Sequence, residues 1–134
     1  MLPPDLLGDW ALDRLVLDRR AGSTGRVTGT ARLRAVDGST VSWVESGTMT
    51  FDGRSTPVSR TLLVRGADDG RWSVHFADGR PFHDWVWGAA VVHDCAPDEY
   101  TGVLDGDRSR WTVRWEARGP AKDYRLDSVL TPAR

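Results

Sequence analysis

The sequence predicts an all-β protein, a single up-and-down antiparallel β-barrel of about eight or nine strands with a short N-terminal helix. Stretches of roughly eight to twelve residues, in which apolar and polar side chains alternate, follow one another along the chain, as is typical of β-strands. Turn dipeptides, above all Asp-Gly, separate these stretches. No segment shows a long 3.6-residue period. The 134 residues fit one domain, residues 1–134.

The elements follow in order from these signals. A proline-containing lead-in over residues 3–7 predicts the short helix. Turn signals then lie at residues 20–23, 37–38, 52–53, 68–70, 78–79 and 105–107. Strands joined in sequence by tight turns close most economically as a barrel. A two-sheet sandwich is the alternative, with strands changing sheets at Gly88 or Pro97.

Because side chains alternate across a strand, the pattern also predicts which of them face the barrel interior. The inward sets are Trp10, Leu12, Arg14 and Val16; Val27, Gly29, Ala31, Leu33 and Ala35; Val41, Trp43, Glu45, Gly47, Met49 and Phe51; Val58, Arg60, Leu62 and Val64; Trp111, Val113 and Trp115; and Tyr124, Leu126, Ser128 and Leu130.

The composition excludes several classes of protein. Eighteen basic and nineteen acidic residues leave a net charge of -1, which argues against a nucleic-acid-binding protein. No apolar run is long enough for a transmembrane helix, and the first residues lack a basic signal-peptide region. The single cysteine, Cys95, cannot form an internal disulfide. We therefore expect a cytoplasmic protein, either a monomer or a homodimer, that binds neither nucleic acid nor membrane.

Three ionisable residues, Arg14, Glu45 and Arg60, fall on the inward faces. An unpaired charge in a barrel interior is costly, so they must pair with one another or with a bound group. One interpretation is a structural ion network that fills the barrel. The other is a pocket for a carboxylate, phosphate or enolate, which the planar guanidinium suits. Small inward residues, including Gly29 and Ala31, leave room for a ligand and favour the pocket.

A second group combines His83, His93, Cys95, Asp98 and Tyr100 within a short stretch. The two histidines and the cysteine offer nitrogen and sulfur ligands for zinc, but their spacing matches no established zinc motif. A histidine acting with the neighbouring acid and tyrosine in proton transfer is the second interpretation. Hydrogen-bonded structural residues at strand ends are the third. We expect no bound metal.

The only lysine, Lys122, follows a Gly-Pro turn and precedes the last strand. A lysine at a barrel rim is either a solvated charge or, if it leans over the mouth, a group that holds an anion or activates a carbonyl. The sequence has no P-loop, dinucleotide fingerprint or nucleophile elbow. We therefore expect no cofactor.

The segment Gly8-Asp9-Trp10 resembles the Gly-x-Trp signature of lipocalins and their calycin relatives. That resemblance implies a tryptophan packed across the closed end of the barrel. It also implies that an arginine from the C-terminal part of the chain, such as Arg125 or Arg118, packs against this tryptophan. The chain as a whole resembles a family of small, functionally uncharacterised bacterial proteins with a lipocalin-like barrel. The segments that carry this resemblance are Gly8-x-Trp10, Arg14, Glu45-Ser46-Gly47, Arg60, residues 76–83, His93-Asp94-Cys95-x-x-Asp98-x-Tyr100 and Gly119-Pro120-x-Lys122-Asp123-Tyr124. The resemblance implies a fold and no reaction.

The resulting hypothesis is a tryptophan-lined pocket for a small anionic or polar organic molecule. In the first version the protein is a cofactor-free isomerase, cyclase or lyase; in the alternative it is a non-catalytic carrier or sensor. The predicted catalytic residues are Glu45, His93 and Tyr100. The predicted ligand-binding residues are Arg14, Trp43, Arg60, His83, Trp115, Lys122 and Tyr124.

Overall fold

A computed structural model describes all residues, 1–134, as one antiparallel sheet that curls into a barrel. A single 3-10 turn, Pro3–Leu6, precedes the strands. The strands are β1 (Gly8–Asp18), β2 (Ser23–Asp37), β3 (Thr40–Phe51), β4 (Arg54–Gly66), β5 (Trp72–Phe76), β6 (Pro81–Asp84), β7 (Ala90–Cys95), β8 (Asp98–Asp107), β9 (Arg110–Gly119) and β10 (Lys122–Pro132). No helix of the protein has the length and apolar character needed to cross a membrane.

The first and last strands of the sheet pair with each other. The strand order is β6-β5-β4-β3-β2-β1-β10-β9-β8-β7, and β1 pairs with β10 from Trp10–Pro132 to Asp18–Tyr124. β6 and β7 form no ladder with each other, so the wall has one gap. The up-and-down antiparallel barrel is thereby confirmed, and the two-sheet sandwich is wrong.

Two details of the prediction are wrong. The barrel has ten strands rather than eight or nine, because β6 has only four residues, too few for alternation to show in the sequence. The N-terminal helix is only a four-residue 3-10 turn. Ala35 lies on the inward face as predicted, since it pairs directly with the buried Val41, but its own surface is exposed near the end of β2.

One end of the barrel is filled by tryptophans. Trp10, Trp43, Trp85 and Trp111 are buried, and Trp111 has no exposed surface. Trp10 packs edge-on against Trp111 with ring centroids 5.7 Å apart, and its indole N–H donates to the Leu6 carbonyl oxygen at 2.8 Å. The 3-10 turn thus caps this end. The polar interior lies beyond it, toward the other end.

The arginine expected against Trp10 is absent from that position. Arg125 lies on β10 seven residues before Pro132, the partner of Trp10, and its guanidinium bonds Asp127 at 2.8 Å. Arg118 bonds Glu116. A backbone carbonyl and a second indole therefore hold Trp10 in place.

Candidate functional site

A carboxylate held between two arginines forms the centre of the polar interior. Nη2 of Arg14 donates to both carboxylate oxygens of Glu45 at 3.0 Å. Nη2 of Arg60 lies 3.0 Å from Oε1 of the same carboxylate, and its Nε donates to Oε1 at 3.2 Å. Nε of Arg14 also donates to the Ser128 hydroxyl at 2.7 Å. Four strands therefore contribute to one hydrogen-bonded network.

Strand register brings these residues together. Glu45 on β3 is the direct cross-strand partner of Arg60 on β4. Arg14 on β1 is the direct partner of Ser128 on β10. Side chains opposite one another in an antiparallel pair lie on the same face, so each pair meets inside the barrel. The inward orientation of the three charged residues is as the alternation predicts.

The network carries an excess of positive charge, and its members differ in access to solvent. The exposed fraction of the side chain is 4% for Glu45, 13% for Arg14 and 34% for Arg60. Burial lowers the pKa of the Arg60 guanidinium, and the Glu45 carboxylate opposes that shift. The guanidinium remains protonated, because arginine is effectively always charged in proteins. Two cations therefore face one carboxylate, and Arg60 is the more accessible cation.

Beside the network lies a cavity of about 280 Å³. Most of its wall surface is apolar, and Arg14, Glu45 and Arg60 form its charged part. The other lining residues are Leu12, Val16, Val27, Ser46, Gly47, Met49, Val58, Ser59 and Leu126. A volume at the low end of ligand pockets, apolar walls and a few convergent polar groups suit a small amphipathic molecule.

A stack of three aromatic rings crosses the interior on the side of the gap. Phe82 on β6 stacks on Phe76 of β5 at 4.6 Å and on Trp115 of β9 at 5.0 Å. Trp115 in turn covers Gly102, where a Cβ atom would come within 2.7 Å of the indole. The stack links both sides of the gap through side chains, where backbone hydrogen bonds are missing.

His83 is buried against this stack, with 8% of its surface exposed. Its ring meets Phe82 and Trp115 edge-on, at 4.7 Å and 5.0 Å between centroids. Nδ1 lies 2.8 Å from the carbonyl oxygen of Asp84. Burial lowers the pKa of His83, and the charge of Arg60 lowers it further, while the Asp84 carbonyl opposes the shift. The imidazole is therefore neutral at pH 7.

A separate polar cluster lies at the open rim. The Lys122 ammonium donates to the Tyr100 hydroxyl at 2.9 Å and lies 3.3 Å from the Asp98 carboxylate, and both contacts raise the pKa of Lys122. Burial, together with the neighbouring Tyr100, raises the pKa of Tyr124 to about 12. His93 packs against Tyr100 with centroids 5.9 Å apart. Tyr124 is therefore protonated, and Lys122 is charged, at neutral pH.

No set of three His, Cys, Asp or Glu side chains converges in a way that could hold a metal ion. Cys95 is exposed, whereas His83 is buried. The zinc set considered from the sequence, His83 with His93 and Cys95, is therefore not assembled.

The predicted site residues fall into separate groups. Only Arg14, Glu45 and Arg60 line the cavity. Trp43 is buried among the tryptophans of the closed end. Trp115 is part of the aromatic stack, and His83 packs against that stack. The rim holds the remaining four, His93, Tyr100, Lys122 and Tyr124.

Sequence reasoning missed the cavity's apolar wall and the central ring of the aromatic stack. Val16, Val27, Met49, Val58 and Leu126 all line the cavity. Each lies on an inward face, so the alternation identifies its direction. It does not separate residues that line a cavity from residues that fill the core. Phe82 lies on a strand too short to show a period.

Comparison with known proteins supports the fold. The chain belongs to the Family of unknown function (DUF6314), whose sequence model matches residues 6–132. No curated protein matches the chain. A redesigned β-barrel, mFAP0, solved bound to DFHBI, is similar in structure with a TM-score of 0.50 and 18% identity, over 94% of this chain and 97% of that one. EF1p2_mFAP2b bound to DFHBI gives a TM-score of 0.51 and 12% identity, over 97% and 95%.

Proposed function

We propose that this member of the family binds a small organic anion inside its barrel. The observation that carries the proposal is the pairing of an apolar cavity with a charged network of two arginines and one glutamate. A network built only to fill the interior gains most when its charges balance. Here the two arginines share one carboxylate, so the network keeps a net charge of one positive unit next to open space.

Arg60 is the residue proposed to contact the anion. Arg14 is held by Glu45 and Ser128, and little of it is exposed. Arg60 bonds a single carboxylate oxygen and keeps a third of its side chain accessible. A guanidinium with free N–H groups donates well to carboxylate, sulfonate or phosphate oxygens. Since the network has a single excess charge, a monoanion suits it best.

The apolar wall defines the rest of the ligand. Aliphatic side chains and Met49 surround the cavity, so the body of the molecule is apolar. The redesigned β-barrel mFAP0 and the structurally similar EF1p2_mFAP2b were both solved bound to DFHBI. Their occupancy supports the idea that a barrel of this architecture holds an organic molecule.

Binding fits the geometry better than acid–base catalysis by Glu45. Its carboxylate accepts hydrogen bonds from both arginines, so it orients them and is poorly placed to take a proton from a substrate. We therefore propose a carrier or sensor. The isomerase, cyclase or lyase activity stays a prediction, as do the catalytic roles of His93 and Tyr100.

Calorimetric titration with octanesulfonate, an aliphatic monoanion, tests the proposal. Replacing Arg60 with Met keeps much of the side-chain length and removes the charge. Since a hydrogen bond to a charged group contributes about 1.5–3 kcal/mol, the dissociation constant should rise about ten- to a hundredfold. Arg65→Met is the matched control, because Arg65 is exposed on the same strand. Circular dichroism verifies that both variants fold.

Equal affinity of wild type and Arg60→Met for octanesulfonate would contradict the anion pocket and leave the charges as a structural network. Octanol, a neutral molecule with the same chain length, provides the second comparison. It should bind both proteins with similar affinity, because it makes no charge-assisted bond to Arg60. Mass spectrometry of small molecules that co-purify with the protein then identifies the natural ligand.

A further inference from the structure

We infer that Tyr124 is a second recognition residue at the open rim, and that the ligand carries a neutral hydrogen-bond acceptor at the end opposite its anionic group. The inference rests on the proposed function, because the acceptor is placed relative to an anion held at Arg60. It narrows the ligand class from a small organic anion to an acid with a carbonyl group, as in an ester or a ketone, near its far end.

Strand register places Tyr124 next to the wall of the cavity. Tyr124 and Leu126 are successive inward positions of β10, about 6.6 Å apart. Leu126 pairs with Val16 of β1, and both residues line the cavity. Tyr124 pairs with Asp18, so it is a diagonal neighbour of Val16 at about 7–8 Å. On the inward face of β10, Tyr124 is therefore the first polar residue beyond the apolar wall.

The rim has open space of its own beside this tyrosine. A cavity of about 440 Å³, where β1 ends and β10 begins, is lined by Tyr124, Lys122 and Asp18 among others. The neighbouring inward positions on the same two strands, Val16 and Leu126, line the inner cavity. The two spaces thus follow one another along β1 and β10, and a ligand longer than the inner cavity extends toward Tyr124.

Hydrogen-bond donors dominate the rim. The Lys122 ammonium donates to the Tyr100 hydroxyl at 2.9 Å and lies 3.3 Å from the Asp98 carboxylate, so that carboxylate is engaged. The ring of Tyr124 lies beside this group, 6.5 Å from the ring of Tyr100. Its hydroxyl keeps its hydrogen at neutral pH, since burial and Tyr100 raise its pKa to about 12. Because the charges of Lys122 and Asp98 offset each other, a neutral acceptor suits the rim better than a second anion.

The spacing along β10 sets the length of the ligand. Arg14, which belongs to the charged network, pairs with Ser128, four residues from Tyr124 along the strand. At about 3.3 Å per residue this separation is about 13 Å, and the inward reach of the guanidinium and phenol side chains shortens it. A linear acid of medium chain length therefore spans the distance from the network to the Tyr124 hydroxyl.

Calorimetric titrations with matched pairs of acids test the inference. Monomethyl adipate, monomethyl suberate and monomethyl sebacate are compared with octanoate, decanoate and dodecanoate, respectively, which have the same number of chain atoms and no ester group. For the pair of fitting length, the half ester should bind the wild type about two- to tenfold more tightly, as one neutral hydrogen bond provides. Without a donor, the ester carbonyl would lose its hydration and weaken binding.

Replacing Tyr124 with Phe removes the hydroxyl and keeps the ring. This variant should bind each saturated acid as tightly as the wild type does, because these acids make no hydrogen bond at the rim. It should bind each half ester no more tightly than the matched saturated acid. Thr101→Val is the control, since Thr101 lies on β8 between the inward positions Tyr100 and Gly102 and faces outward. That variant should keep the preference, and circular dichroism verifies that both variants fold.

Two outcomes overturn the inference. The first is that no half ester binds the wild type more tightly than its matched saturated acid, and the second is that the preference persists in Tyr124→Phe. Arg60→Met should weaken both members of each pair equally, so it leaves their ratio unchanged. The proposed function fails separately, if Arg60→Met binds octanesulfonate as tightly as the wild type.

Discussion

At the scale of single residues, Glu45 is the residue on which the polar interior depends. Its carboxylate is almost completely buried and contacts guanidinium groups from two different strands. Each arginine depends on that carboxylate to offset the loss of hydration. The side chain therefore has two roles, since it stabilises the fold and directs the accessible edge of Arg60 toward the cavity.

Replacing Glu45 with Gln tests the first role. The amide has nearly the same shape but no charge, so two guanidinium groups are left without a counter-charge in the interior. We expect the free energy of unfolding to fall by about 3 kcal/mol, at the low end for a broken buried pair because Arg60 is partly exposed. Urea denaturation measures the change.

The control for this substitution is Glu99→Gln, because Glu99 is exposed on β8 and has no ion pair. That variant should unfold at the same urea concentration as the wild type. If the two variants are equally stable, the buried carboxylate does not stabilise the fold.

At the scale of strands, a pair of glycines allows β2 and β3 to approach closely. Gly29 and Gly47 are direct partners on the inward face. A Cβ atom on Gly29 would overlap the carbonyl oxygen of Ser46, and one on Gly47 would overlap that of Thr28. Glycine in a strand often marks a place where another backbone approaches closely. This close approach lies beside the cavity, which Gly47 lines.

Gly29→Ala should therefore destabilise the barrel by about 3 kcal/mol, at the upper end for overpacking, because the methyl group meets backbone that cannot move without unpairing the strands. Gly38→Ala is the control, since a Cβ there meets nothing within 4 Å. Thermal unfolding followed by circular dichroism compares the two variants. Identical unfolding temperatures would show that β2 and β3 move apart at this glycine pair at little cost.

At the scale of the whole molecule, the gap between β6 and β7 is where the barrel wall is least secured. Backbone hydrogen-bond ladders join all the other neighbouring strands of the barrel. Across the gap, the aromatic stack of Phe76, Phe82 and Trp115 replaces them. Strand edges without ladder hydrogen bonds open more easily than paired strands.

We therefore expect amide hydrogens of residues 81–84 and 90–95 to exchange faster than those of β1 and β10. Phe82→Ala should speed this exchange further, because it removes the central ring of the stack. Hydrogen exchange followed by mass spectrometry measures both effects. Uniform protection around the barrel, unaffected by Phe82→Ala, would show that the gap is as stable as the paired wall.

The lipocalin resemblance was informative about the barrel and less so about its details. The placement of Trp10 at the closed end agrees with it, but the two expected arginines, Arg125 and Arg118, bond Asp127 and Glu116 instead. The family match and the barrel neighbours show the fold. Lipocalin identity remains a prediction, since the barrel has ten strands.

The sequence by itself determined what depends on neighbours along the chain. Alternation and turn chemistry are local properties, and they were enough to predict the antiparallel barrel and the inward direction of Arg14, Glu45 and Arg60. Burial of charge then required these three to find partners. The tertiary structure decided what depends on distances between strands.

Register placed Glu45 opposite Arg60, and the cavity lies beside the point where Gly29 and Gly47 let β2 and β3 approach closely. The same distances put Trp43 in the closed end and Lys122 at the rim, away from the cavity. Side-chain direction repeats every two residues and is visible in the sequence, whereas strand register and curvature arise from packing across the whole barrel.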